Sequence, residues 1–270
     1  MKVALVYNET EQNIKIANLF DSLCCDDEPF TRDDLNPDVV ITIGGDGTLL
    51  SALHRYAELL DTVRFASIHT GHLGFYTDWQ EFEVEELLEV LKNDQGERVS
   101  YPLLDIKVTE KDGTIYRHHA LNESTLKKAN GTLVCDVYIN GQHFETFRGD
   151  GLCIATPTGS TGINKSLGGA VVHPSTEVMQ LTEMASINNV LFRTLSSPMI
   201  FAKTDQLTLT PIADSGMTFS IDHLTYDAND VIEVECRMGA KRISFMPSRH
   251  TPFWQRVEQA FIGEAQTKSE

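Results

Sequence analysis

Clusters of lysine or arginine are missing from this 270-residue chain, which carries 22 basic against 39 acidic residues and a formal net charge of −17. So acidic a chain repels nucleic acid and anionic membrane surfaces, and no basic patch offsets the repulsion. For an anionic ligand, local backbone amides or a metal must counter the global field. Long hydrophobic runs are missing too. None approaches the roughly 18 residues that a membrane span requires. The opening MKVALVYNETEQN has an apolar run too short for a signal peptide. The five cysteines, Cys24, Cys25, Cys135, Cys153 and Cys236, show no C-x-x-C spacing. An odd count without that spacing argues against a disulfide framework or a thiolate metal site, and fits a reducing, cytoplasmic setting. Repeats and low-complexity tracts are absent as well.

What is present begins with alternation. Residues 3–7, 38–43 and 64–70 read as strands. Between and after them, residues 9–23, 48–60 and 81–93 read as helices, the last with Val84, Leu87, Leu88 and Leu91 on one face. This order predicts an α/β domain with a parallel sheet over residues 1–98. From residue 99 to 251 the texture changes to short strand-like runs divided by turn residues. Lys111-Asp112-Gly113 and Asn140-Gly141 are hairpin signals. These runs predict an all-β, sandwich-like second domain, interrupted by one helix over 176–189. A last helix over 252–262, with Phe253, Trp254, Val257 and Phe261 as its apolar face, is expected to dock back, packing on the first domain.

The chemistry concentrates where a buried strand meets a helix, at Gly44-Gly45-Asp46-Gly47-Thr48. Glycines there let a ligand approach the backbone, and the helix start favours phosphate. The loop is neither G-x-x-x-x-G-K-[ST] nor G-x-G-x-x-G. A carboxylate in such a cradle has two readings. Asp46 is a helix N-cap, or it is a general base that accepts the proton of a hydroxyl attacking a phosphoryl group.

The second half adds Asn122-Glu123, read either as an exposed turn or as a pair suited to a ribose diol. Residues 147–174 carry a second Gly-Asp-Gly at 149–151 and then Pro157-Thr158-Gly159-Ser160-Thr161-Gly162. The apolar flanks favour a ligand loop over a flexible linker. His118-His119 has no third ligand at suitable spacing and reads as a solvated strand edge. The acidic run Glu81 to Glu89 reads as a solvated helix face. Cys24-Cys25 has no base nearby to make it a nucleophile.

Taken together, GGDGT (44–48), HTGHLGF (69–75), LNE (121–123), GDGLCIATPTGSTG (149–162), NKSLGG (164–169), HP (173–174) and SIDH (220–223) resemble the motifs of NAD kinases of the bacterial type. The resemblance implies an α/β domain followed by a β-sandwich-like domain, with the nucleotide in the cleft between them. It implies phosphorylation of the adenosine-ribose 2′-hydroxyl of NAD to give NADP, with ATP or polyphosphate as donor. A divalent metal, Mg²⁺, would arrive on the donor phosphates, with no metal ligand assigned to protein side chains. By motif, Asp46 is the base. Gly45, Gly47 and Thr48 lie at the phosphates, and Asn122 and Glu123 at the ribose hydroxyls. Asp150, Thr161 and Ser166 lie along the dinucleotide. Arg148 and His223 are outer contacts, Phe75 lines the pocket, and Ser160, Gly162, Ile163 and Ala185 complete the set. A homodimer or homotetramer that completes the site across an interface is implied as well. Many relatives read Thr-Ala-Tyr-Asn where this chain has Thr161-Gly162-Ile163-Asn164, so an aromatic stack is missing. The rivals are a GGDGT lipid kinase, disfavoured by the acidity and by Asn122-Glu123, and a dinucleotide sensor without turnover.

Overall fold

A computed structural model describes residues 1–25, 29–71, 74–212 and 215–263. His72 and Leu73 of the 69–75 motif lie outside the described residues, as does the side chain of Cys25. The chain runs β1 (Lys2–Tyr7), α1 (Glu11–Cys25), β2 (Thr31–Arg32), β3 (Val39–Ile43), α2 (Asp46–Arg55), β4 (Arg64–His69), β5 (Trp79–Gln80) and α3 (Val84–Lys92). Strands follow: β6 (Val99–Glu110), β7 (Ile115–Ala120), β8 (Glu123–Lys128), β9 (Leu133–Ile139), β10 (Gln142–Gly149) and β11 (Gly151–Ala155). After a 3₁₀ turn over Thr158–Thr161 come the short α4 (Ile163–Ser166), β12 (Val178–Met184), β13 (Met199–Ala202) and β14 (Leu207–Pro211). The chain ends with β15 (Met217–Ile221), β16 (Leu224–Asp227), β17 (Val231–Phe245) and α5 (Phe253–Phe261).

Two units divide the chain. Met1–Ser100 joins with residues 242 onward, and Tyr101–Lys241 stands as a contiguous unit. Residues 242–251, expected with the β-rich domain, therefore belong with the first unit.

In the first unit β2, β1, β3 and β4 are parallel neighbours in that order, with Phe245 of β17 beside Phe65 of β4. All five residues of β3 are buried, as a parallel sheet covered on both faces requires. Its one polar member, Thr42, donates its hydroxyl to that of Ser67 at 2.7 Å. Phe20 from α1, Leu87 and Leu91 from α3, and Trp79 pack on Val3, Ile41 and Ile43. In α5 the buried residues are Phe253 and Arg256, whereas Trp254, expected on the apolar face, is more than half exposed.

In the second unit one sheet has the order β13-β12-β11-β8-β15-β16, all antiparallel. The other strands of the unit pair as β10-β9-β14-β17, with β6 against β17 and β7. Strands β9, β14 and β15 alternate buried and half-buried residues, the pattern of a sandwich with one inward face. Leu104, Leu126, Phe147, Ile154, Leu181 and Phe219 share its core.

The helix expected over 176–189 is the strand β12. Val178, Met179, Leu181 and Met184 imitate a helical stripe. The segment is paired on both sides, with β11 and β13. Its polar residues are satisfied by the fold: Gln180 bonds both the amide and the carbonyl of Ala170, at 2.8 and 3.1 Å, and Thr182 donates to Asn164 at 2.6 Å. Tertiary pairing outweighs local propensity here.

The β9–β10 hairpin turns on Asn140 (φ 52°) and Gly141 (φ 78°), both left-handed, as a two-residue I′ turn demands. Gly141→Val should therefore lower unfolding free energy by about 1–2 kcal/mol, measured by urea denaturation.

Candidate functional site

In the first unit, β3 delivers the chain into the glycine loop. Gly44, at φ 147°, donates its amide to Ile68 at 2.9 Å, and a Cβ there would meet Thr48 Oγ1 at 2.3 Å. Only glycine allows this turn. Helix α2 starts at Asp46, two residues earlier than expected, and its N-cap is Gly45, which makes no side-chain bond. Asp46 is thus not the cap. Its half-buried carboxylate instead accepts the amides of Phe75 at 2.7 Å and Tyr76 at 2.9 Å. Gly45 and Gly47 are exposed and Thr48 is buried. Phe75 packs edge-on against Phe253 at 6.0 Å and lies 6.3 Å from Phe261. Gly74 lies so close that a Cβ would stand 2.3 Å from Asp46 Oδ1. A carboxylate has about four lone-pair directions, so two bonds orient Asp46 and leave acceptor capacity toward the glycine side.

In the second unit, register does the assembling. Glu123, first in β8, faces Ala155, last in β11, and Ser124 faces Ile221, last in β15. One end of this sheet therefore gathers Asn122, Glu123, the Ser160–Ile163 segment and the Asp222-His223 turn. Asp222, in a left-handed conformation (φ 52°), accepts the amides of Leu121, Asn122 and Glu123 at 3.1, 2.7 and 3.3 Å. Asn122-Glu123 is thus a pinned turn rather than a loose exposed one. Sequence reasoning quoted the SIDH run but passed over Asp222. The signal was an acidic residue at a two-residue turn, where only structure shows which amides it faces.

Glu123 Oε2 and Thr158 Oγ1 at this end, and Asn164 Nδ2 beside Thr182 further along the strands, are buried with no hydrogen-bond partner among the described residues. Native proteins leave few such atoms, and clusters of them suit a ligand. Burial first, then the Asp222 carboxylate, pushes the Glu123 carboxyl up to about 8. A carboxyl protonated at neutral pH donates as well as accepts. A Cβ on exposed Gly162 would sit 3.1 Å from Glu123 Oε2, so a side chain there would crowd that buried oxygen. Thr161 donates to the Thr158 carbonyl at 3.1 Å. Ser160 is fully buried and its hydroxyl is committed to Val172, accepting the amide at 2.9 Å. Ile163 is half-buried against Cys153, Ala155 and Met184. Ser166 and His223 are exposed.

The remaining residues lie at the opposite end of the same strands. Gly151 faces Met184, and the Asp150 amide donates to the Met184 carbonyl at 2.9 Å. Asp150 and Ala185 are exposed, Ala185 with φ 46°. The Arg148 guanidinium lies 4.3 Å over the Phe192 ring. A five-residue strand separates this group from Glu123 by about 15 Å.

Other candidates resolve simply. His119 is half-buried and bonded to Asp105 at 2.8 Å, not a solvated edge. Cys24, Cys135, Cys153 and Cys236 are buried, and burial pushes the thiols of the last three well up. No group of three or more His, Cys, Asp or Glu among the described residues is placed to hold a metal, and no described helix is long and apolar enough to cross a membrane.

Comparison with known proteins identifies the class. Residues 25–95 match the ATP-NAD kinase N-terminal domain and residues 121–247 the ATP-NAD kinase C-terminal domain. A kinase assembled from these two domains is what the glycine loop and the β-sheet end belong to. An NAD kinase of Lacticaseibacillus paracasei is 50% identical over 97% of this chain and 99% of its own length. One of Streptococcus pyogenes is 50% identical over 97% of this chain and 95% of its own. The chain belongs to the NAD kinase family. Two crystal structures share the fold: yeast NADH kinase complexed with NADH (TM-score 0.81, 20% identity, 99% of this chain and 89% of that one), and an Archaeoglobus fulgidus NAD kinase in complex with ATP (TM-score 0.73, 22% identity, 96% and 99%).

Glu123 sets a pH dependence. Its carboxyl is raised from 4.5 to about 8 in the folded chain. Between those values the unfolded chain loses a proton that the folded chain keeps. Unfolding free energy should therefore be highest below about pH 4.5 on this account and fall as pH rises toward 8. Thermal melts of Glu123→Gln should show that part of the decline removed.

Proposed function

We propose that this chain phosphorylates the adenosine-ribose 2′-hydroxyl of NAD, with ATP or polyphosphate as donor, and that Asp46 is the general base. The observation that carries the mechanism is the grip of two backbone amides on the Asp46 carboxylate between exposed glycines. The 2′-oxygen attacks the terminal phosphoryl group of the donor, the new P–O bond forms, and the bond to the leaving phosphate breaks. The hydroxyl proton passes to Asp46. Positioning and charge neutralisation supply most of such a rate enhancement. Gly45, Gly47 and Thr48 line the phosphates by backbone approach, which suits an anion on so acidic a chain.

Asn122 and Glu123 take the ribose hydroxyls, with Thr161, Gly162, Ile163 and Ser166 along the dinucleotide. Phe75 and His223 stand at the periphery. Ser160, bound to Val172, supports the loop from beneath. Arg148, Asp150 and Ala185 lie a strand's length from Glu123. Their contribution fits a second copy of the chain completing the site, as the expected homo-oligomer would. No protein side chain is assigned to a metal in this reading. Mg²⁺ would arrive on the donor phosphates and help neutralise their charge.

Purified protein with NAD, ATP and Mg²⁺ should yield NADP. Asp46→Asn should reduce turnover by about 10²–10⁴-fold. NADP formed equally fast by both would remove the base role, and none formed by either, with NAD still bound, would make the chain a sensor. Ile163→Tyr should lower KM for NAD by about fivefold, the equivalent of one aromatic stack of about 1 kcal/mol. An unchanged KM would rule out a missing stack.

A further inference from the structure

The least expected feature of the first unit is an arginine buried in its terminal helix. Arg256 is 5% exposed. Its fork meets four acceptors: Nε donates to the Thr251 carbonyl at 3.1 Å, and Nη1 to the carbonyls of Phe75 at 2.6 Å and Thr77 at 3.4 Å. Nη2 donates to Asp78. Asp78 is further held by His250 at 3.1 Å and by the Thr251 amide at 3.2 Å. A buried charge is costly unless fully paired. This one is paired with a carboxylate and aimed at backbone.

The backbone it meets is the one that grips Asp46. The Phe75 carbonyl and the Tyr76 amide belong to one peptide unit. That unit is planar, so its C=O and N–H point in opposite, linked directions. Arg256 takes the oxygen, and Asp46 Oδ1 takes the hydrogen at 2.9 Å. A bond to the carbonyl also polarises the amide and strengthens it as a donor. On the other side of Phe75, its own amide holds Asp46 Oδ2 at 2.7 Å. Gly74 closes the arrangement, its amide donating to Thr77 Oγ1 at 3.1 Å. Arg256 lies outside both segments that match the kinase domains.

We propose that Arg256 is a positioning residue for Asp46, acting through the Phe75–Tyr76 peptide. The proposal rests on the reading of Asp46 as base. A planar guanidinium is required, because one group must reach Asp78 and three carbonyls together. Lysine keeps the charge opposite Asp78 but has no such fork.

The full chain tests this with Arg256→Lys, Asp46→Asn and the double variant, read by kinetics and by hydrogen exchange of peptides covering residues 74–79. Arg256→Lys should lower kcat about 10- to 100-fold, with KM for NAD and ATP within about twofold, and should speed exchange at Phe75 and Tyr76. Its effect on kcat should vanish in the Asp46→Asn background, since coupled residues are not additive. An equal loss in both backgrounds would reduce Arg256 to a purely structural residue and overturn the proposal, as would native exchange at 74–79. Native turnover by Asp46→Asn would instead overturn the base reading, and the proposal with it. If Arg256→Lys does not fold, Arg256→Met with Asp78→Asn removes the buried pair in balance. The same kcat loss and exchange would support the proposal, and native values would overturn it.

Discussion

Two amide hydrogens hold one carboxylate, and the glycine loop of the first unit is organised around that grip. Asp46 sits at the first position of a helix whose positive end already favours a negative charge. Helical geometry alone leaves its side chain free to rotate. The amides of Phe75 and Tyr76 remove that freedom. They come from a segment 29 and 30 residues away in sequence, so the carboxylate is placed by tertiary structure, not by its own loop. The arrangement excludes a side chain at residue 74 and demands a left-handed turn at residue 44. Both positions are glycine.

The second unit solves a different problem with the same means. Its candidate residues are scattered in sequence from 122 to 223. Strand β8 lies between β11 and β15, so the ends of three strands meet at one edge. A carboxylate again grips consecutive amides, here Asp222 on residues 121–123. The neighbouring negative charge helps keep Glu123 protonated. A net charge of −17 thus coexists with a neutral carboxyl and exposed backbone donors, a local balance that global composition hides.

The alternation of strand and helix over the first hundred residues was readable because buried parallel strands and amphipathic helices have distinct periods. The hairpin at Asn140-Gly141 was readable because its backbone angles admit few residues. The motif runs carried the family. The β12 segment was misread because a central strand buried on both faces loses its alternation, and its methionines fit a helical stripe equally well. The roles of Asp222 and Arg256 were invisible for another reason. Each acts on backbone atoms far away in sequence, and a side chain's type says nothing about which amide or carbonyl it will meet. Ser160 shows the converse: it lies in a ligand-like motif, yet its hydroxyl is used by Val172.

The first unit is discontinuous, with residues from both ends of the chain and a contiguous unit inserted between them. During synthesis, at about 5–20 residues per second, the inserted unit is complete before the helix that carries Arg256 has emerged. A nascent chain therefore holds the Glu123 end of its β-sheet before the Phe75–Tyr76 peptide that grips Asp46 has its bond to Arg256. The order of translation makes the Arg256 bond a late contact, so a chain cut short before α5 would carry the glycine loop and both gripping amides but lack that support.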